Sequence, residues 1–191
     1  MGHGREEGLG AGVARCGSCG GGKKRELVVL TTKGVTIKIR DFRAEDLKSV
    51  VEIDRASLLG GSAEIYAELA GLKTAVSGAG EVGAYAEVFL VAERNADVVG
   101  FIVAVPFSAV ASRIFALAVH PKHRGMGIGK ALLRAALNEL RRLRKSFVRL
   151  EVRESNFIAQ NLYKSMNFTE IGYIPFYYWD GEGAIVMQKV L

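Results

Sequence analysis

One segment of the 191-residue chain limits the fold more than any other: a strand, a glycine-rich turn and a long helix in direct succession. Residues 113–119 alternate as a strand that stops at His120-Pro121, because proline cannot continue a hydrogen-bonded ladder. After the turn, apolar residues recur at helical spacing: Leu132, Leu133, Ala136, Leu137, Leu140 and Leu143. This pattern predicts an amphipathic helix that packs one face against a sheet.

Shorter patterns predict the remaining elements. The stretch VTIKIRDF predicts a strand, and EVFLVAE and VVGFIVAVPF predict a hairpin that turns at Asn95. The other predicted elements are helices from Ala44 to about Ser57, from Ser62 to Ser77 (ended by Gly78 and Gly80) and from about Phe157 to Ser165, and strands at residues 147–153, 169–177 and 184–190. The order is mixed α/β with hairpins, not strict βαβ repetition.

Composition predicts a single globular domain. The hydrophobic fraction of 49% is ordinary for a soluble fold, and its short runs leave no membrane-length apolar stretch. Residues 1–34 are rich in glycine and charge, so we predict a flexible leader there and one folded domain at residues 35–191. The leader lacks the apolar block of an export signal, so we expect a cytoplasmic protein with no membrane partner.

The net charge of +6 predicts an anionic partner, for which nucleic acid, a ribosomal surface or a phosphorylated cofactor would each serve. The basic cluster at residues 141–145 ends the long helix, where cations also complement the helix dipole, and this favours the helix explanation over RNA binding. Cys16 and Cys19 supply half of a zinc site without a second pair, so no metal is predicted. The sequence is compatible with a monomer or a homodimer.

The glycine-rich turn has the properties of an anion-binding helix start. Backbone N–H groups at a helix start lack intrahelical partners and lie at the positive end of the dipole. Gly125, Gly127 and Gly129 would let the backbone approach a diphosphate, and Arg124 and Lys130 add positive charge. A P-loop would need glycine in place of Arg124, and a dinucleotide fingerprint would need glycine at position 130, so neither motif is present.

The stretch Arg124-Gly-Met-Gly127-Ile-Gly129 resembles the pyrophosphate loop of the GNAT superfamily of N-acetyltransferases. That loop reads Gln or Arg, two residues, Gly, one residue, then Gly or Ala. The likeness continues through LEVRESNFIAQNLYKSMNF and FYYWDGEGAIVM, which resemble the RimI-type protein N-terminal acetyltransferases, and it covers residues 35–191. It implies the GNAT fold, a central mixed and mostly antiparallel twisted sheet flanked by about four helices. It also implies acetyl-CoA as cosubstrate.

The resemblance further implies a cofactor site and a catalytic pair. A splayed strand would bind the pantetheine arm through backbone groups, as an added strand would, and the glycine-rich turn would bind the diphosphate. The implied cofactor residues are Leu117, Ala118, Val119, Arg124, Gly125, Met126, Gly127, Ile128, Gly129, Lys130 and Asn156. Glu151 matches the general base, acting directly or through water, a role that an apolar setting would favour. Tyr163 matches the general acid that protonates the CoA thiolate.

The residues alone leave several of these roles open. Glu151 could instead be a strand carboxylate paired with Arg149 or Arg153, and Tyr163 could be a core aromatic. Asn156 could cap the following helix, bond the pantetheine, or do both. Two tyrosines, Tyr177 and Tyr178, match residues that line the peptide-binding mouth of the relatives, although aromatic residues favour strands anyway. Position 167 is Asn where the relatives carry glycine, so a left-handed backbone is expected there.

Amine chemistry favours a terminal acceptor. A protein α-amino group has a reference pKa of about 7.7 to 8.0, whereas a lysine at about 10.4 costs roughly 3.4 kcal/mol more to deprotonate. We therefore expect a protein or peptide N-terminus as acceptor, with a ribosomal protein and association with the ribosome among the candidates. Two alternatives remain open: acetylation of lysine or of a small-molecule amine, and a CoA- or RNA-associated binding module without turnover.

Overall fold

The computed structural model describes residues 26–32, 35–58, 62–72 and 85–191. In chain order these residues form β1 (Glu26–Thr32), β2 (Val35–Asp41), α1 (Leu47–Leu58), α2 (Ala63–Leu69), β3 (Val88–Arg94), β4 (Asp97–Ser108), β5 (Ala111–Val119), α3 (Ile128–Arg142), β6 (Phe147–Arg153), α4 (Phe157–Lys164), β7 (Thr169–Ile174) and β8 (Ala184–Val190). A short 3-10 helix at Ala44–Asp46 precedes α1, and a second one at Pro121–His123 lies between β5 and α3. None of the described helices is long and apolar enough to cross a bilayer.

The strands that the described residues form make one sheet in the order β1-β2-β3-β4-β5-β6-β8-β7. Every neighbouring pair is antiparallel except β5 and β6, which are parallel. The β3–β4 hairpin turns at Asn95 and Ala96, which both have positive φ, as a tight hairpin turn requires. The mixed, mostly antiparallel GNAT sheet predicted from the sequence is therefore confirmed.

The single parallel pair is short. Ala111–Arg113 pair with Phe147–Arg149, and beyond this point the two strands diverge. β5 stays paired with β4 as far as Val119, while β6 stays paired with β8 as far as Arg153. A register shift in the β4–β5 pairing leaves Phe115 as an extra residue, and such a bulge bends its strand. The result is a cleft in the middle of the sheet, between the ends of β5 and β6.

Each face of the sheet carries its own core. On one face, α3 and the Tyr163 side of α4 pack on residues that include Ile102, Val148 and Leu150. On the other face, α1 and α2 pack on a core whose strand residues come from β3, β4 and β5, and no residue of β6 or β8 belongs to that core. We call the β6 and β8 part of this face the open face. Strand alternation turns four charged side chains toward it: Arg113, Arg149, Glu151 and Arg153.

Two element ends differ from the sequence predictions. The second helix ends at Leu69 and not at Ser77, because Gly71 adopts φ 68° and its N–H turns back to the carbonyl of Glu68. The predicted stop at Gly78 and Gly80 lies outside the described residues. The predicted strand at 169–177 ends at Ile174, ahead of Phe176 with φ 53°.

The predicted leader also needs a correction at its end. Residues 26–32, assigned to the leader from their composition, form β1 and pair antiparallel with β2. The first 25 residues, which include Cys16 and Cys19, lie outside the described residues. The left-handed backbone expected at Asn167 is present, with φ 61°, directly after α4.

Candidate active site

The turn between β5 and α3 is open where two of its glycines lie. Gly125 and Gly127 have φ of 74° and 75°, and a Cβ built on either would meet no atom within 4 Å. Gly127 is the N-cap of α3. The first hydrogen bond of the helix runs from the N–H of Ala131 to the carbonyl oxygen of Gly127, with an N–O distance of 3.0 Å. The amides of residues 128–130 therefore have no intrahelical acceptor, which suits a bound anion.

The third glycine of this turn is less constrained than the other two. A Cβ on Gly129 would lie 3.6 Å from Leu162 Cδ2 and 3.7 Å from Val119 Cγ2, which are ordinary contacts. Its φ is not positive, so the backbone would accept alanine. The last position of the sequence motif can therefore be either Gly or Ala, because the structure has room for a Cβ at Gly129.

The side chain of Arg124 lies back over the sheet. Its Nε donates to the carbonyl oxygen of Val119 at 3.1 Å, and its Nη2 donates to Ser57 Oγ of α1 at 3.0 Å. Lys130 is exposed and has no ion-pair partner among the described residues. Lys130 is therefore free to meet an anion, and Ser57 is a neighbour of the turn that the sequence did not indicate.

Helix α4 and its N-cap carry two predicted site residues. Asn156 is its N-cap, and Asn156 Oδ1 accepts a hydrogen bond from the N–H of Ala159 at 3.1 Å. Tyr163 is 7% exposed, and its ring lies 5.7 Å from that of Phe168. Burial raises the pKa of the Tyr163 phenol well above its usual range, with a smaller contribution from nearby Tyr178, so this phenol keeps its proton at neutral pH.

Glu151 does not lie in the apolar setting predicted for it. Its side chain is 8% exposed, but its Oε2 accepts a 2.6 Å hydrogen bond from Arg113 Nε, and its Oε1 lies 3.4 Å from Arg149 Nε. The reason is strand geometry: Arg149 is two residues away on the same face of β6, and Arg113 reaches across from β5. The alternative pairing with Arg149 was anticipated from the sequence, whereas the contact with Arg113 was not.

The loop between β7 and β8 brings two tyrosines to the open face. The Tyr177 hydroxyl accepts a hydrogen bond from Arg113 Nη2, and the Tyr177 and Tyr178 rings meet edge to face at 5.0 Å. The Arg153 guanidinium lies over the Tyr178 ring at 3.9 Å. Burial is the main cause that raises the pKa of Tyr178 to about 12. Arg113 thus joins Glu151 of β6 to this loop.

Acidic residues hold this loop in place. Arg153 Nη1 lies 2.8 Å from Asp180 Oδ2 and 2.6 Å from Glu182 Oε2. Glu182 Oε1 accepts a 2.8 Å hydrogen bond from the N–H of Ser155. Hydrogen bonds from Ser155, followed by that from Arg153, lower the pKa of Glu182 to about 2, so the carboxylate stays charged at neutral pH. The described residues contain no group of three or more His, Cys, Asp or Glu side chains able to hold a metal.

The family follows from sequence comparison. A model of the Acetyltransferase (GNAT) family matches residues 62–168. This chain belongs to that family. A similar relative is an N-alpha-acetyltransferase of Sulfurisphaera tokodaii, which is 32% identical over 171 residues that cover 83% of this chain and 96% of the relative.

Solved structures agree with this assignment. Ard1 from Thermoplasma volcanium superposes on this acetyltransferase with a TM-score of 0.71 and 32% identity, over 81% of this chain and 97% of the other. The ribosomal-protein-S18-alanine N-acetyltransferase from Escherichia coli gives a TM-score of 0.68 and 25% identity, over 81% and 93%. The predicted class, an acetyl-CoA-dependent N-acetyltransferase with the GNAT fold and likeness to RimI, is confirmed.

We expect Gly127→Ala to weaken CoA binding about ten-fold and to lower the free energy of unfolding by about 1 kcal/mol. A Cβ at φ 75° strains the backbone by roughly 1–2 kcal/mol, and the strain is relieved only if the turn changes shape. Titration calorimetry with CoA and urea denaturation would measure the two effects. The control is Gly172→Ala on β7, where the Cβ meets no atom and φ is not positive. A Gly127→Ala protein that binds CoA like wild type would contradict this account of the turn.

Proposed function

We propose that this acetyltransferase acetylates the N-terminal α-amino group of a protein or peptide in the cytoplasm. The observation that carries the proposal is the open face beside the cleft. There Arg113 links Glu151 to Tyr177, and Tyr177 is 38% exposed, so an acceptor chain can contact this surface beside Tyr178. Two similar proteins support it: one is an N-alpha-acetyltransferase, and the other is a ribosomal-protein-S18-alanine N-acetyltransferase. A ribosomal protein is therefore a candidate acceptor, and association with the ribosome would follow.

The cleft and the turn fit acetyl-CoA, which supplies the acetyl group as a thioester. The uncommitted amides at the start of α3 and the open space beside Gly125 and Gly127 suit the diphosphate. We infer that the turn from Arg124 to Lys130, including Met126 and Ile128, binds it. Leu117, Ala118 and Val119 line the β5 side of the cleft, where backbone groups would hold the pantetheine arm, and Asn156 would face it from α4.

We infer that two side chains move protons during transfer. The neutral α-amine attacks the carbonyl carbon, so that a C–N bond forms and the C–S bond breaks. Tyr163 gives its phenolic proton to the leaving sulfur, and its raised pKa keeps that proton available at neutral pH. A backbone N–H of Leu117–Val119 would stabilise the oxyanion.

Glu151 would take the proton that the amine nitrogen loses. Arg113 donates to its Oε2, whereas its Oε1 accepts no hydrogen bond from any described residue. We therefore assign the base function to Oε1, which acts directly or through a water molecule. This modest base suits a terminal amine with a pKa of about 7.7 to 8.0 better than a lysine amine.

The test is a pair of peptides that differ only in which amine is free. One peptide has a free N-terminus and an acetylated lysine; its twin has a blocked N-terminus and a free lysine. We expect acetylation of the first, with a rate for the second that is lower by about 300-fold, because deprotonating lysine costs roughly 3.4 kcal/mol more. Thiol release and mass spectrometry would measure it. Exclusive modification of the lysine, or of small amines in place of both peptides, would contradict the proposal.

A further inference from the structure

The charged side chains of the open face and its loop take part in side-chain hydrogen bonds, with the exception of Arg149. Arg153 contacts Asp180 and Glu182, and Arg113 donates to Glu151. Arg149 lies 3.4 Å from Glu151 Oε1 but donates no hydrogen bond to any described residue. Its Nε atom is buried without a hydrogen-bond partner. This face therefore carries one guanidinium that is ion-paired with Glu151 but donates no hydrogen bond to any described residue.

Packing fixes the orientation of Arg149. Its Cζ lies 5.3 Å from the centre of the Phe107 ring, and Phe107 itself, near the end of β4, is 51% exposed. A guanidinium over an aromatic face is attracted by the ring and loses some of its rotamer freedom before any ligand arrives. Such a planar group binds a carboxylate through two parallel hydrogen bonds. Arg149 thus has the properties of a preorganised carboxylate receptor.

The position of Arg149 relative to Glu151 sets which part of an acceptor it can reach. The two residues are separated by one residue on the same face of β6, so their Cα atoms are about 6.6 Å apart. An extended peptide advances by about the same distance between its first and third residues. If the acceptor's α-amine lies at Glu151, a carboxylate on its second or third residue can reach the guanidinium.

We propose that Arg149 is a specificity-determining residue that binds an Asp or Glu side chain at the second or third position of the acceptor. This inference rests on the proposed function, N-terminal acetylation of a peptide. It adds that the preferred acceptors are acidic next to their amino terminus.

The test measures kcat/KM for matched peptides that carry Glu or Gln at position 2, 3 or 5. We expect wild type to prefer Glu over Gln about ten-fold at position 2 or 3 and not at position 5, as a charge-assisted hydrogen bond allows. Arg149→Gln should bring that ratio close to one, and Arg149→Lys should retain part of it. Arg134→Gln removes the same charge from the exposed surface of α3, on the other face of the sheet, and should keep the wild-type ratio.

Each outcome has a separate meaning because the readout is a ratio. If Arg149→Gln lowers kcat/KM equally for both peptides, its role is structural and the inference is wrong. If Arg134→Gln lowers the ratio as much, the effect comes from net charge and the inference is also wrong. Acetylation of all peptides without preference would overturn this inference alone. No acetylation of any α-amine would overturn the proposed function as well.

Discussion

Tyr163→Phe is expected to lower kcat by about 100-fold or more while CoA affinity and stability stay close to wild type. The substitution removes only the hydroxyl group and keeps the ring. Because this hydroxyl donates no hydrogen bond to any described residue, we expect the fold to stay the same. Loss of a general acid typically costs a factor of about 10² to 10⁴. Because burial raises the pKa of Tyr163, the wild-type rate should show no loss from its ionisation up to a pH of about 10. Steady-state kinetics between pH 6 and 10 and calorimetry with CoA would check both points.

A second buried tyrosine serves as the matched control. Tyr66 of α2 donates to Asp54 Oδ1 of α1 at 2.8 Å, and both side chains lie in the core beneath these helices. Tyr66→Phe should lower the free energy of unfolding by about 1–3 kcal/mol, because it leaves a buried carboxyl oxygen without its donor, yet it should retain kcat. If the two substitutions lowered kcat alike, the acid function of Tyr163 would have to be abandoned.

Glu151→Gln should also lower kcat by about 100-fold or more at pH 7, because the amide cannot accept the proton that the amine loses. The remaining rate should rise with pH up to about 8, as more of the acceptor amine becomes neutral without help. The variant also leaves Arg113 and Arg149 without their shared carboxylate, so a loss of stability is expected. Kinetics and denaturation on the same preparations would separate the two effects.

The control for Glu151 is Glu93 of β3, another carboxylate that pairs with an arginine. Its Oε2 accepts a 2.8 Å hydrogen bond from Arg40 Nε, and neither residue lies on the open face. Glu93→Gln should therefore lower stability without a comparable loss of kcat. A Glu151→Gln enzyme with a wild-type rate at pH 7 would show that Glu151 is only a structural partner of the arginines.

The parts of the site that sequence could predict are those fixed by local backbone chemistry. Gly127 needs a positive φ directly before a helix, and Asn167 takes the left-handed conformation after α4, so both follow from a few neighbouring residues. Asn156 caps α4 for the same local reason. The strand and helix order was predictable because each apolar pattern shows its period within its own segment.

Contacts between distant segments were not predictable. The pairing of Arg113 with Glu151 depends on the register of β5 against β6, which no local pattern encodes. The contact of Ser57 with Arg124 joins residues 67 positions apart. The expected apolar setting of Glu151 was wrong for this reason: the sequence reveals which face a strand residue occupies, not what reaches it from the next strand.

The short parallel pairing of β5 with β6 has a consequence for how this enzyme can vary. The sheet is joined at its middle over only a few residues, and beyond Arg113 no strand pairing links β5 to β6. Residues of β6, β8 and the loop before β8 can then change the surface offered to an acceptor without disturbing the register of β1 to β5. A new acceptor preference can therefore arise in one half of the molecule while the fold of the other half stays constant.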